Sequence, residues 1–551
     1  MVRTLPKASR AAYPCQRIAL SVGLSFLAYL SGVIASVTIF KNLKKWINTF
    51  SKPLGTTLLA IFVLFIGTIT ALTVESYLTD QKPVYADWNP SDNPNTPIGE
   101  AKGKFPGRVT WAYNPLATEE TVIGNWWQKG NTNQLVVDSM IKDSLLALTG
   151  TKTTDEAWAS IFHFFNQSHN RGDIGYTPGE KIAIKINTVN TYNQRKNNNY
   201  IDIDGESLLA LVTTLVGFGV EERDITIYDG GVGSIGDYVV NPVHDVYPDI
   251  IFQSITPWGP VKAVQWVNEG IVYSDGVVVT NADTRRVAKV VWDADYLINF
   301  ALLKKHEHET AVTLTGKNHY GSIKNCRDVH YGINDYINGM GTYNNLVDLA
   351  GHEKIGAKTM LYIIDGLWAS PGVLDAPVKW SSFGNDWPSS IFMSQDFVAI
   401  DSVGLDFLNA EFELWDNGDN YLHEAALADN PPSGTIYDPE DDGTPLKSLG
   451  VHEHWNNSTD KEYSRNLGTG EGIELVKVVN SIENKGEMGD VNIDGNINVV
   501  DSLIIAQHYV AIPVENFHSE YADVNEDLAI NIIDSLLIAQ LYVGIIESFK
   551  E

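Results

Sequence analysis

Near its C-terminus this chain carries the same stretch twice, which limits what that region can fold into. Residues 490–510 read DVNIDGNINVVDSLIIAQHYV and residues 523–543 read DVNEDLAINIIDSLLIAQLYV. From Asp501 to Val510, eight of ten positions are identical to those from Asp534 to Val543. A duplication at fixed period marks a repeated structural unit. Each copy sets oxygen-bearing side chains at positions one, three, five, nine and twelve of a twelve-residue loop. In the first copy these are Asp490, Asn492, Asp494, Asn498 and Asp501, with Asn496 offering its backbone carbonyl at position seven. In the second they are Asp523, Asn525, Asp527, Asn531 and Asp534, with Ala529 at position seven. A hard cation such as calcium takes about six to eight oxygen ligands, and a loop of this length wraps them around it. Two calcium ions are therefore expected. Gly495 stands where the first loop turns sharply; the second has Leu528 there, which strains the turn. The competing reading is a pair of polar turns with Asp501 and Asp534 as helix N-caps.

At these residues the segment, residues 487–551, resembles a type I dockerin. It has Asp rather than Glu at position twelve and one helix after each loop. The resemblance implies a small all-α calcium-dependent module that binds a cohesin-bearing partner. It also implies that loop positions ten and eleven, Val499, Val500, Ile532 and Ile533, meet that partner. It further links the chain to polysaccharide breakdown.

A length of 551 residues allows two or three domains. The formal charge of −29 argues against a nucleic-acid partner, whose phosphates would be repelled. It suits a calcium-holding protein outside the cytoplasm. The two cysteines, Cys15 and Cys326, flank an apolar run, so no disulfide is expected between them.

That run, residues 18–40, and a second, residues 54–74, are each long enough to cross a bilayer, which takes about 20 residues. Residues 1–77 therefore read as transmembrane helices or a signal anchor. Basic residues precede both runs (Arg3, Lys7, Arg10 and Arg17; Lys41, Lys44, Lys45 and Lys52), and a two-span hairpin cannot keep both groups inside. Two spans, or the second run alone, put the rest of the chain outside the cytoplasm: membrane-anchored, or secreted if the segment is cleaved. The alternative is a cytosolic protein with two core helices. Residues 78–98, with Pro83, Pro90, Pro94 and Pro97, read as a linker.

Residues 99–480 alternate strand-like and helix-like runs. Strands are expected at 181–186, 224–228, 296–302, 359–364 and 390–393, and helices at 133–148, 155–166, 206–218 and 397–409. Such alternation predicts an α/β body with a largely parallel sheet, whose sites collect at the carboxyl ends of strands. Asp229-Gly230-Gly231-Val232-Gly233 lacks the dinucleotide spacing and reads as a turn. The densest polar cluster runs from Ile298 to Gly321 and on to His330. It holds Lys304, His306, His308, Lys317, Asn318 and His319. His306-Glu307-His308 lacks the helical spacing of a zinc protease. Imidazoles there admit proton transfer or a second metal. His452-Glu453-His454-Trp455 offers further ligands or an aromatic wall for a glycan.

Over residues 180–410 the body resembles the family called domain of unknown function 362. The matching positions are Lys185 and Asn187; Ile298, Asn299, Leu303, Lys304, His306, Thr313, Leu314, Lys317, Asn318 and Gly321; then His330, Asp365 and Gly366. Ser394, Asp396, Val398, Ala399 and Asp401 complete the pattern. Lys305 duplicates the lysine of the motif, and the four-cysteine iron–sulfur segments of some members are absent. The resemblance implies an architecture and no particular reaction.

Candidate catalytic residues are thus Lys304, His306, Lys317, Asn318, His319, Asp396 and Asp401. Lysines and an amide would hold an anionic or carbonyl oxygen, and a histidine or aspartate would move a proton. Two other readings stand beside an enzyme. One is a non-catalytic surface component recruited through the dockerin. The other is a calcium-loop pair that only stabilises its own chain.

Overall fold

The computed structural model describes residues 92–549 except 193, 232, 275–281, 307–311, 327–329, 331–339, 413, 415–417, 479–487, 493–496, 511, 513, 515, 516, 526, 528 and 547. The two apolar runs and most of the expected linker lie outside the described residues. Among the described residues, no helix is long and apolar enough to cross a membrane.

The body is built from β1 (Ile98–Gly99), β2 (Arg108–Tyr113), β3 (Ile182–Lys185), β4 (Ile225–Asp229), β5 (Ile251–Ser254), β6 (Val261–Ala263), β7 (Trp266–Gly270) and β8 (Arg286–Ala288). It continues with β9 (Tyr296–Lys305), β10 (Val312–Thr313), β11 (Thr359–Ser370), β12 (Ser390–Ser394), β13 (Val451–His452) and β14 (Glu474–Val478). The helices used below are α1 (Gln134–Thr149), α2 (Thr154–Ser168), α3 (Gly205–Phe218), α4 (Asp237–His244), α5 (Thr315–Asn318), α6 (Phe397–Glu411) and α7 (Asn420–Ala426).

Among the described residues, ten strands form the main sheet in the order β14-β2-β12-β11-β9-β3-β4-β5-β6, with β10 on β9. Neighbours from β11 across to β6 are parallel, as is β14 on β2. The expectation of a largely parallel sheet needs correcting at β12, which runs antiparallel to both β11 and β2, and at β10, which folds back on β9. The sheet is mixed. The cause is the connection. No α-helix lies between β11 and β12, so the chain returns beside the strand it has just left, as only an antiparallel pair permits.

Both faces are covered. Ile182, Ile184, Ile225, Ile227, Ile298 and Phe300 point to one side and pack with α1 to α4. Ala183, Leu297, Leu303 and Ile364 point to the other and pack with Phe397, Val398 and Val403 of α6. This is the two-residue alternation of a strand, apolar on both phases because both faces are buried. Helix starts carry the chemistry that stops a coil from competing: Asn133, Asp204 and Asp396 cap α1, α3 and α6, and Thr153 with Glu156 forms a capping box on α2.

The C-terminal region holds α8 (Val499–Tyr509) and α9 (Ile532–Tyr542) around a small core of Val491, Ile504, Ile505, Ala522, Val524 and Ile538.

Candidate functional site

At the carboxyl ends of β3, β4 and β9 the polar residues meet. Lys185 is 1 % exposed; its ammonium faces Asp229 Oδ1 at 3.2 Å, donates to Asn318 Oδ1 at 3.0 Å and also donates to the Ile186 carbonyl. Burial pushes the Lys185 ammonium down, against the pull of Asp229. Asn318 passes the contact on, donating to Asn299 Oδ1 at 2.8 Å. Asn299 Nδ2 donates to the Thr315 carbonyl at 2.9 Å and faces His319 Nε2 at 3.1 Å. An amide N–H can only donate, so Nε2 of His319 accepts and its proton sits on Nδ1, towards Ser322 Oγ. Burial, with Lys185 adding repulsion, drives the His319 pKa down to about 3, so the ring stays neutral.

Two further lysines border this network. Lys304 is fully buried and donates to Asn187 Oδ1 at 3.1 Å; burial pushes its ammonium down to about 8. Lys196 pairs with Asp202 at 2.6 Å, both side chains fully buried. Gly321 shows how tight the packing is. A Cβ there would run into Asp229 Oδ1 and the end of the Lys185 side chain, so only glycine lets the backbone approach.

The structure spreads the remaining candidates. His306 and Lys317 are buried, and the His306 ring lies 5.2 Å from that of His330, whose pKa burial lowers. Asp401 is committed to backbone and hydroxyl donors: Thr315 N at 2.8 Å, Thr315 Oγ1 at 2.6 Å, Gly316 N at 2.9 Å and the Tyr421 hydroxyl at 3.0 Å. It anchors the start of α5, which carries Lys317 and Asn318. Asp396 caps α6 through Ala399 N at 2.9 Å and accepts Lys102 N at 2.7 Å. Burial raises Asp396 to about 7 and Asp401 to about 6. His308 lies outside the described residues. A cavity of about 350 Å³ opens towards the amino-terminal side of β3, β4 and β5, lined by Lys181, Ala183, Thr226 and Gln253, away from this cluster.

Sequence reasoning left Lys196, Asp202 and Asp229 out of the candidate set. The available signal was that each follows or ends a strand or turn rich in polar residues. Lys185 was visible only as a motif position.

The C-terminal loops are closed by their twelfth residue. Asp501 is fully buried and accepts Val491 N at 3.0 Å and Asn498 N at 2.9 Å. Asp534, also fully buried, accepts Asn531 N at 2.9 Å and Asn525 N at 3.4 Å. The N-caps are Asn498 and Asn531, whose side chains accept Val500 N and Ile533 N. The competing reading of Asp501 and Asp534 as helix N-caps is therefore corrected by three residues. Each instead completes a capping box from inside the first turn, because the loop backbone needs an acceptor on its concave side. Asp523 Oδ1 and Asn525 Oδ1 both accept Asp527 N at 3.0 Å, and Ala529 N donates to Asp527. Asp490 is buried, and Asn492 lies half-buried beside Asp501. Asp494, Gly495, Asn496 and Leu528 lie outside the described residues. The named loop side chains offer only oxygen and amide groups, the chemistry calcium requires. Asp490, Asn492, Asn498 and Asp501, and Asp523, Asn525, Asp527, Asn531 and Asp534, with the Ala529 carbonyl, would hold the two ions.

Residues 182–406 match the model of the family described as domain of unknown function (DUF362). The match begins at the first residue of β3 and stops inside α6, so β2 and β14 complete the sheet beyond it. Residues 488–541 match the dockerin type I domain, covering both loops and nearly all of both helices. Among curated proteins, none matches the chain. The chain thus carries a DUF362 segment followed by a type I dockerin.

Proposed function

We propose that this chain is a docking protein of the cell exterior, in which calcium holds the C-terminal loops and the paired helices seize a cohesin-bearing partner. A type I dockerin supports a calcium-dependent, cohesin-type interaction. The carrying observation is the apolar stripe at the helix starts. Val499 is 55 % and Ile532 50 % exposed, and Val500, Leu503, Ile533 and Leu536 are open to a similar degree. Clustered exposed aliphatics on so small a unit mark a docking face. They also weigh against a loop pair that only stabilises its own chain, which would bury them. The apolar runs at 18–40 and 54–74 support anchoring to a membrane with the body outside the cytoplasm. The dockerin resemblance supports placement beside polysaccharide-degrading partners, with a glycan as a candidate ligand of the body.

The test is capture by immobilised cohesins of several specificities. The full chain should bind in calcium and be released by chelator, and Val500→Asp with Ile533→Asp should abolish binding. No capture in either condition would overturn the reading.

A catalytic or ligand-binding role for the body rests on a separate observation. Lys185 and Lys304 are buried, with lowered pKa values, at the carboxyl edge of parallel strands beside Asn187, Asn318 and Asp229. Preorganised ammonium and amide donors suit an anionic or carbonyl oxygen. If Lys304→Ala and Lys317→Ala left turnover and affinity unchanged across a panel of phosphorylated and carboxylated compounds, this role would fail.

A further inference from the structure

Away from the carboxyl-edge lysines, the fold gathers three imidazoles and two carboxylates from distant parts of the chain. Asp419 precedes α7, and His423 lies one turn into it. β13 ends in His452, and His454 follows two residues later, on the same side of the extended chain. Glu453 between them turns away to Ser464. Asp92 arrives from the segment before β1, the strand that pairs with β13. His423 Nε2 lies 3.1 Å from Asp92 Oδ2 and 3.6 Å from Asp419 Oδ2; His454 Nε2 lies 3.6 Å from the same Asp419 oxygen. The His452 ring stands between, its centroid 4.7 Å from that of His423 and 4.8 Å from that of His454. One donor atom each from Asp92, His423 and His452 lie within 4.8 Å of one another, and so do donors from Asp419, His452 and His454.

The surrounding hydrogen bonds orient these donors inward. The Ser402 hydroxyl donates to the Val398 carbonyl at 2.7 Å, so its oxygen accepts from His452 Nδ1 at 2.8 Å. The His452 proton is thereby placed on Nδ1, and the lone pair on Nε2. That Nε2 is fully buried, points into the cluster and makes no hydrogen bond. Asp406 Oδ1 sits 2.7 Å from His454 Nδ1, while its Oδ2 accepts Trp455 N and the Tyr463 hydroxyl. A carboxylate behind a histidine, fixing its tautomer and ring angle, is the usual support of a metal ligand. His452 and His454 are fully buried, so they line no open glycan cleft.

We propose that His423, His452 and His454, together with Asp92 and Asp419, bind one first-row divalent transition cation, Zn²⁺ foremost. Three imidazoles exclude a calcium-type site, which takes oxygen ligands, and select a borderline ion. A dication offsets the charge of carboxylates that, uncompensated, would be costly to bury. The ion joins the segment leading into β1, the start of α7 and β13, so its work is to fasten the body's edge. Asp92, the partly exposed ligand, is the outward one.

The full chain in detergent, stripped with 1,10-phenanthroline and kept in excess calcium, is titrated with Co²⁺. The expected result is one equivalent per chain with visible d–d bands of nitrogen and oxygen ligation. Zn²⁺ should displace it, and the melting temperature of the body should rise with either metal. His452→Gln should abolish the bands, and Asp92→Asn, at a partly exposed position, should weaken uptake on the order of tenfold or more. The competing arrangement holds a proton on His454 between Asp406 and Asp419 and needs no metal. Absence of stoichiometric Co²⁺ uptake by the wild-type chain would establish that arrangement and overturn the proposal. Unchanged uptake by Asp92→Asn and His452→Gln would also overturn it.

Discussion

Ser502 and Ser535 each donate a hydroxyl hydrogen bond to the other's backbone carbonyl, both at 2.7 Å. The two residues occupy the same position in the two repeats, and their hydroxyls lie 3.0 Å apart. The duplication in the sequence thus becomes a local two-fold relation in space, which seats α8 against α9. Either Ser→Ala change removes one buried donor and should cost about 0.5–1.5 kcal/mol of the calcium-bound unit's stability. Because the two bonds join the same two residues, whose hydroxyls also touch, the effects should couple and the double variant should cost less than the sum. Denaturant unfolding of single and double variants, followed by α-helical signal in calcium, checks this.

Asp501 and Asp534 accept loop N–H groups and, in the proposed reading, also hold calcium. Alanine at either should abolish one of two calcium equivalents in a calorimetric titration. It should also loosen its own helix start, because the ligand and the capping box go together. Retention of both equivalents by the double variant would show that the ions bind elsewhere.

Asp401 receives four donors with its two oxygens. In Asp401→Asn one oxygen becomes a donor facing other donors. The expected cost is about 1–3 kcal/mol, read as a lowered melting temperature of the body. Asp401→Glu should not rescue it, since the pocket is filled.

At Gly321 an added Cβ has no room beside Lys185 and Asp229. Gly321→Ala should destabilise the body by about 1–3 kcal/mol, the range for an overpacked interior. A variant as stable as the wild type would mean that the carboxyl edge is looser than its packing implies.

His319 gives a pH signature. Its folded pKa, about 3, lies below its ordinary value of 6.5. The unfolded chain therefore binds a proton there that the folded chain refuses between those values. Its contribution is fully present above pH 6.5 and is lost as pH falls towards 3. His319→Gln, keeping polar atoms without the titration, should flatten the acid limb of stability against pH across that window. The change should approach about 1.4 kcal/mol per pH unit. An unchanged slope would mean that the ring is protonated in place.

Much of the body was legible from local pattern. The span read as a strand from Tyr296 to Leu302 forms β9, and the helices around 133–148, 155–166, 206–218 and 397–409 form within a residue or two. Apolar periodicity and caps are written locally, so they survive without knowledge of the fold. The direction of β12 was not legible, because a short buried strand reads the same in parallel and antiparallel pairing. Lys304, Asn318 and His319 do gather at one sheet edge with Lys185. Asp396 and Asp401, read as candidates from the same kind of evidence, accept N–H groups at the starts of α6 and α5. A carboxylate near a strand end looks alike in sequence whether it faces a ligand or a helix N-terminus.

The repeated loops and the proposed metal cluster mark the two extremes. A twelve-residue loop carries its ligands within itself, so the order of residues alone specifies what it can hold, and repetition makes the specification plain. Asp92, Asp419, His423, His452 and His454 share no such window. The pairing of β1 with β13 and the packing of α7 beside α6 gather their donor atoms into two overlapping groups that share His452, because long-range topology, and not spacing along the chain, sets the distances between them.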